Sequence, residues 1–248
     1  MKNLQSNFAF TLAEVLVVLG IIGMIANMTI PTLMNNTGRQ VEVTRLKKIY
    51  TEVNQALISM ANDAGCPGDL RCVDFFDSDM LIAGNGFKKY FNIAKDCGIY
   101  NPAIPKTLCF TDSYSVNYDG SGSKQNLNHD LSGAYEFITV DGFTIAVRPT
   151  PCMVYSWYDP PLVGCEAQMC GELQVDVNGY KGPNILGRDI FMFWITNGKG
   201  PLLFPAGASQ SVDPWKRSDG SIRKCYSGDL NGWDCTGRIM EEGWQMLY

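Results

Sequence analysis

Apolar residues are arranged in two different ways along this chain, and the change falls near residue 40. From Phe10 to Ile30 the order is Phe-Thr-Leu-Ala-Glu-Val-Leu-Val-Val-Leu-Gly-Ile-Ile-Gly-Met-Ile-Ala-Asn-Met-Thr-Ile, followed by Pro31. As a helix this stretch rises about 32 Å, enough to cross a hydrocarbon core of roughly 30 Å. No charged residue lies between Glu14 and Arg39. A cleaved secretory signal would have an apolar region of only about 7–15 residues and an Ala-x-Ala-like site behind it. Here the run is longer and no such site follows, so the pattern predicts a membrane-spanning helix.

Beyond it, Leu46, Ile49, Tyr50, Val53, Leu57, Met60 and Ala64 recur at three- and four-residue spacing, with Arg45, Lys47, Lys48, Glu52, Asn54 and Gln55 between them. That is an amphipathic helix continuing the apolar one. Pro31 and the Asn35-Asn36-Thr37-Gly38 stretch are expected to kink or locally melt it. Gly65, followed by Cys66-Pro67-Gly68, ends it. A plain anchor has no use for the second half.

In residues 65–248 the pattern turns to strands. Tyr135–Val140 and Phe143–Val147 alternate around Asp141-Gly142 and predict a hairpin with a two-residue turn. Glu172–Val177 reads as a strand, and Ile190–Ile195 as a near-continuous apolar one that turns through Thr196–Gly200 toward Leu202–Phe204. Gly237–Glu242 is expected to form a short helix and Trp244–Tyr248 a terminal strand. An antiparallel sheet packed on the apolar stripe of residues 45–64 follows. The fold class is α+β, with residues 10–64 helical and residues 65–248 a globular head.

Charged residues make up only 18% of the chain and the net charge is −5, so there is no overall basic footprint and nucleic acid is not indicated as a partner. All nine cysteines lie at or after Cys66. No Cys-x-x-Cys pair occurs, and the sole histidine, His129, lies in a polar stretch, which argues against zinc. Disulfides in an oxidising compartment are the better reading. Nine cysteines allow on the order of a thousand pairings, with one thiol left over. The short loops Cys66–Cys72 and Cys225–Cys235 are the leading candidates, then Cys97–Cys109. No Gly-x-Ser-x-Gly elbow, His-Glu-x-x-His or phosphate loop is present, so the chain does not read as an enzyme.

Glu14 is the residue that plain anchoring does not explain. A carboxylate in an apolar segment costs about 2.5–3.5 kcal/mol at the bilayer centre and less near its edge. Ala9-Phe10-Thr11-Leu12-Ala13-Glu14-Val15-Leu16, behind a short leader carrying Lys2, resembles the processing site of type IV prepilins and type II secretion pseudopilins. Pro31 matches the proline of their apolar helix. Ala9 stands where glycine is usual, and Ala13 where isoleucine is common.

The resemblance implies a pilin-like fold, a leader of residues 1–9, and cleavage by prepilin peptidase between Ala9 and Phe10 with methylation of the new Phe10 amine. It implies assembly through Phe10, Glu14 and Pro31, the Glu14 carboxylate meeting the Phe10 ammonium of a neighbouring subunit in a hydrophobic bundle. A desolvated pair of that kind sets register, because removing one partner leaves the other charge buried. The implied partners are other pilin subunits, the peptidase, an inner-membrane assembly platform and membrane lipid. The N-terminus would be cytoplasmic and the head periplasmic before assembly into a periplasmic or surface filament. A positive-inside count opposes this, since Arg39, Arg45, Lys47 and Lys48 face Lys2 alone. The cysteines and the family pattern favour the outward head.

Some major pseudopilins bind calcium in a loop of the head. Here Asp176, Asn178 and Asp189, in Asp176-Val-Asn-Gly-Tyr-Lys-Gly-Pro-Asn-Ile-Leu-Gly-Arg-Asp189, supply oxygen side chains near glycine turns. The EF-hand spacing is absent and Lys181 stands where another ligand would be welcome. A plain Asn-Gly turn is the competing reading. No cofactor is required; calcium is a candidate. Two non-enzymatic roles stay open: a shaft subunit, or a low-copy tip subunit or adhesin binding DNA, a surface or a secreted substrate. The head is large for a simple repeat, and Trp157, Tyr158, Trp215, Trp233 and Trp244 are candidates for a contact patch.

Overall fold

The computed structural model describes residues 11–101, 109–110, 113–122, 124–126, 133–153, 168–197, 202–207, 225 and 230–248, with side chains except at 31–36, 124–126 and 180. Ala9, Phe10, His129, Trp157, Tyr158, Cys165 and Trp215 lie outside the described residues. The chain divides into two compact units, Met1–Val41 and Glu42–Tyr248, and the boundary falls inside a single helix.

That helix, α1, runs unbroken over Leu12–Asp63. Neither Pro31 nor the Asn-Asn-Thr-Gly stretch interrupts it, so the local melting that the sequence allowed for does not occur. A proline removes one backbone hydrogen bond, about 3 kcal/mol, and helical residues on both sides hold the rest of the ladder in place. Its C-terminal end follows the expectation. Gly65 takes a positive φ of 77°, Cys66 N–H donates to the Ala61 carbonyl at 3.0 Å and Gly65 N–H to Asn62 at 2.9 Å. These two bonds form a Schellman motif, which a glycine accommodates without a Cβ penalty.

In the second unit, six strands form one antiparallel sheet: β1 Ile93–Ile99, β4 Tyr135–Thr139, β5 Thr144–Met153, β6 Gln168–Asp176, β7 Ile190–Asn197 and β8 Leu203–Pro205, in the order β1-β4-β5-β6-β7-β8. β2 Ser113–Ser115 and β3 Lys124–Asn126 make a separate two-stranded ribbon. Helix α2, Met80–Lys88, is capped by Asp79, and α3 covers Cys235–Glu241.

The expected hairpin is present one residue out of register. Ile138 pairs with Thr144 and Tyr135 with Val147, leaving Val140-Asp141-Gly142 as a three-residue loop. Gly142 has φ 82°, and its N–H donates to Thr139 at 2.9 Å. A type I turn closed by a left-handed glycine is the usual three-residue solution. The expected strand Trp244–Tyr248 does not form. Positive φ at Gly243 and Trp244 turns the chain after α3, and Trp244 packs tilted against Tyr50, ring centroids 5.5 Å apart, instead.

One sheet face carries Tyr135, Phe137, Ile145, Val147, Leu173, Val175, Phe191, Phe193 and Ile195 and packs on Leu46, Ile49, Val53, Leu57 and Met60 of α1. The other face carries Ala146, Ile190 and Met192 and packs in a second cluster with Phe110, Tyr114 and Leu186. β7 is therefore apolar on both faces, which is why its sequence shows no alternation. Polar ties set the edge of the helix contact. Lys48 reaches the hairpin loop at Asp141 (2.9 Å), Arg45 donates to the Val177 carbonyl (3.2 Å), and Arg188 lies 3.7 Å from Glu42.

Four disulfides join Cys66–Cys72, Cys97–Cys109, Cys152–Cys170 and Cys225–Cys235. The three favoured pairings are present, and the fourth clips β5 to β6.

Candidate functional site

The first candidate is the start of α1. Leu12–Ile30 is exposed along its length and has a mean hydropathy of 2.1 in its best window, so by length and composition it qualifies as a membrane anchor or signal sequence. Glu14 sits on the first turn. Its Oε2 accepts the Thr11 backbone N–H at 2.9 Å and the Thr11 hydroxyl at 2.8 Å, while Glu14 N–H donates to Thr11 Oγ1 at 3.3 Å. That is a capping box, in which two otherwise orphaned donors are satisfied reciprocally. The Thr-x-x-Glu spacing is its sequence signal. Pro31 lies within the unbroken helix.

The second candidate is the β6–β7 connection. Asp176, at the end of β6, and Asp189, just before β7, are both fully buried. Their backbones are tied by Val177 N–H donating to the Asp189 carbonyl at 2.9 Å. Asp176 Oδ1 accepts from Asn178 N–H (3.0 Å) and Gly179 N–H (2.8 Å), and the Asn178 side-chain amide donates to Asp189 Oδ2 at 3.1 Å. Asp189 also accepts from the N–H groups of Asn184 and Ile185. The sequence-predicted trio is thus brought together.

The electrostatics are unbalanced. Burial, and then the neighbouring Asp189 charge, push the Asp176 carboxyl up to about 8. Asp189 is raised by burial too, against the pull of its hydrogen bonds. Among the described residues, Asp176 Oδ2, Asn178 Oδ1 and Asn184 Oδ1 have no hydrogen-bond partner. Lys181 is exposed, so its charge is spent in solvent. The two acids and the Asn178 amide, tied together by these bonds, offer oxygen donors of the kind that suits an oxygen-seeking cation such as calcium. No group of three or more His, Cys, Asp or Glu side chains comes together among the described residues. The sequence had not flagged Asn184, whose place beside Asp189 depends on the loop closing on itself.

A third polar cluster joins α2 to β1. The Tyr135 hydroxyl lies 2.8 Å from both Lys88 Nζ and Asp96 Oδ1, and Lys88 is paired with Asp96. Burial raises the Tyr135 phenol, so it gives up its proton less readily than an ordinary tyrosine, and the cluster acts as a tie. Among the contact-patch candidates, Trp244 packs on Tyr50 and Trp233 on the second core cluster, so both serve packing.

Compared with known proteins, the chain matches no family model, no curated protein and no solved structure. The class defined by fold and site is an α+β protein with an N-terminal apolar helix, an antiparallel sheet and four disulfides, the last marking an oxidising compartment.

Proposed function

We propose that the chain is a structural subunit of a type IV pilus or type II secretion filament, processed by prepilin peptidase between Ala9 and Phe10 and assembled through its N-terminal helix. The observation that carries this reading is helix α1. It is one unbroken element whose first part is apolar and exposed and whose last part is seated on the sheet by one stripe. A membrane anchor alone needs the first part, a globular domain the second. A filament subunit uses both, stored in the inner membrane with its head periplasmic and then drawn by the assembly platform into contact with other subunits.

Glu14 supplies specificity. Inside a bundle of apolar helices its carboxylate would pair with the Phe10 ammonium of a neighbour, replacing part of the capping box. The role is non-enzymatic. Calcium would be held by Asp176, Asn178 and Asp189, neutralising two buried acids and stiffening the loop beside the Arg45–Val177 and Arg188–Glu42 contacts. A low-copy tip subunit is the alternative, favoured by the size of the head. The Glu14→Ala chain tests the proposal: it should still insert in the membrane but be missing from sheared filaments. Incorporation at the wild-type level would overturn the assembly role of Glu14.

A further inference from the structure

The sheet face turned away from α1 holds a polar row that neither the filament reading nor the acidic loop uses. Glu136 on β4, Ala146 on β5, Gln174 on β6 and Met192 on β7 are direct cross-strand neighbours. All four are buried, Glu136 and Gln174 completely. Glu136 Oε2 accepts the Cys109 backbone N–H at 3.0 Å, which ties the Cys97–Cys109 staple to the sheet. The Phe110 N–H also acts on this carboxyl, but among the described residues Oε1 itself has no hydrogen-bond partner, and neither does the nitrogen or the oxygen of the Gln174 amide.

Three unmet polar atoms in one row call for an explanation, because each costs about 1–3 kcal/mol when desolvated and unbonded. Glu136 and Gln174 stand two strand spacings apart, about 10 Å, with only the Ala146 methyl between them. Both side chains are long enough to lean over that methyl, and Ala146 belongs to the same buried cluster as Phe110, Tyr114 and Leu186. An acid, an amide oxygen and an amide N–H₂ together offer both donors and acceptors. A single small molecule that also donates and accepts satisfies them all.

We propose that this row is a built water site, in which ordered water above Ala146 bridges Glu136 Oε1 to the Gln174 amide. Burial lifts the Glu136 carboxyl to about 7, so the site holds an acid that is largely neutral at mildly acidic pH and suits a hydroxylic ligand better than a metal ion.

The test uses the full chain in detergent. Gln174→Met keeps length and volume but removes the amide. A bridged amide predicts a melting temperature lower by about 3 °C or more, since the water then loses partners beside Glu136. A melting temperature equal to or above wild type would mean a dry, unmet amide and would overturn the proposal. Ala146→Ser should melt within about 2 °C of wild type, its hydroxyl taking over the contacts of the water. If Gln174→Met fails to fold, a high-resolution crystal structure of the wild-type chain decides. Density within hydrogen-bond distance of Glu136 Oε1 and the Gln174 amide supports the site, and its absence overturns it.

Discussion

Replacing Glu136 by glutamine isolates the electrostatic consequence of burying a carboxyl between two covered sheet faces. In the folded chain burial dominates over the Cys109 and Phe110 backbone N–H groups and raises this acid from its ordinary 4.5 to about 7. The folded state therefore binds the proton more tightly than the unfolded state. Stability from this group is fully present below about pH 4.5 and is lost as the pH rises through about 7. A difference of two and a half pKa units corresponds to about 3 kcal/mol. For a domain of this size that is about 6–12 °C in melting temperature. Glutamine keeps an oxygen for the Cys109 N–H and never ionises. Thermal melts of both chains between pH 4.5 and pH 8.5, subtracted pairwise, remove the contributions of Asp176 and Asp189, which shift in the same direction. The variant should be equal to or slightly below wild type at pH 4.5 and clearly above it at pH 8.5. A difference that stays constant across this range would refute the reasoning.

Two further outcomes follow from the same geometry. If the β6–β7 loop holds calcium, adding the ion should raise the melting temperature at pH 8. The Asp176→Asn and Asp189→Asn variants should lose that response, and absence of calcium heat by calorimetry would remove the ion from the account. Gly232→Ala should destabilise by about 3 kcal/mol or more, because its new Cβ would overlap the backbone carbonyl of Leu186, which cannot yield as a side chain does; melting at the wild-type temperature would contradict this.

Much of the fold was written in the chain's periodicity. The apolar run, the amphipathic stripe through Met60 and the strands around Asp141-Gly142 all appear where their spacing placed them. The hairpin register slipped by one because a two-residue Asp-Gly turn and a three-residue turn ending in glycine share the same dipeptide. The segment from Asp69 to Ala134 was not legible. Short 3-10 turns cover Leu70–Cys72 and Asp74–Asp77, and β1 is an edge strand with two irregularities that break its alternation. Glu136 and Gln174 illustrate a deeper limit. In sequence they are the polar positions of alternating strands and read as solvent-facing, yet here the sheet is covered on both sides. Asp176 and Asp189 were legible as loop acids, but nothing in their spacing announced that both would be wholly buried.

The central claim is that the mature chain begins at Phe10 and that its N-terminal helix serves assembly. Mass spectrometry of the mature chain recovered from sheared filaments tests it most directly. The account predicts a protein lacking residues 1–9 that starts at N-methylated Phe10 and co-fractionates with filaments. A chain beginning elsewhere, or one confined to the membrane fraction in cells that make filaments, would contradict it.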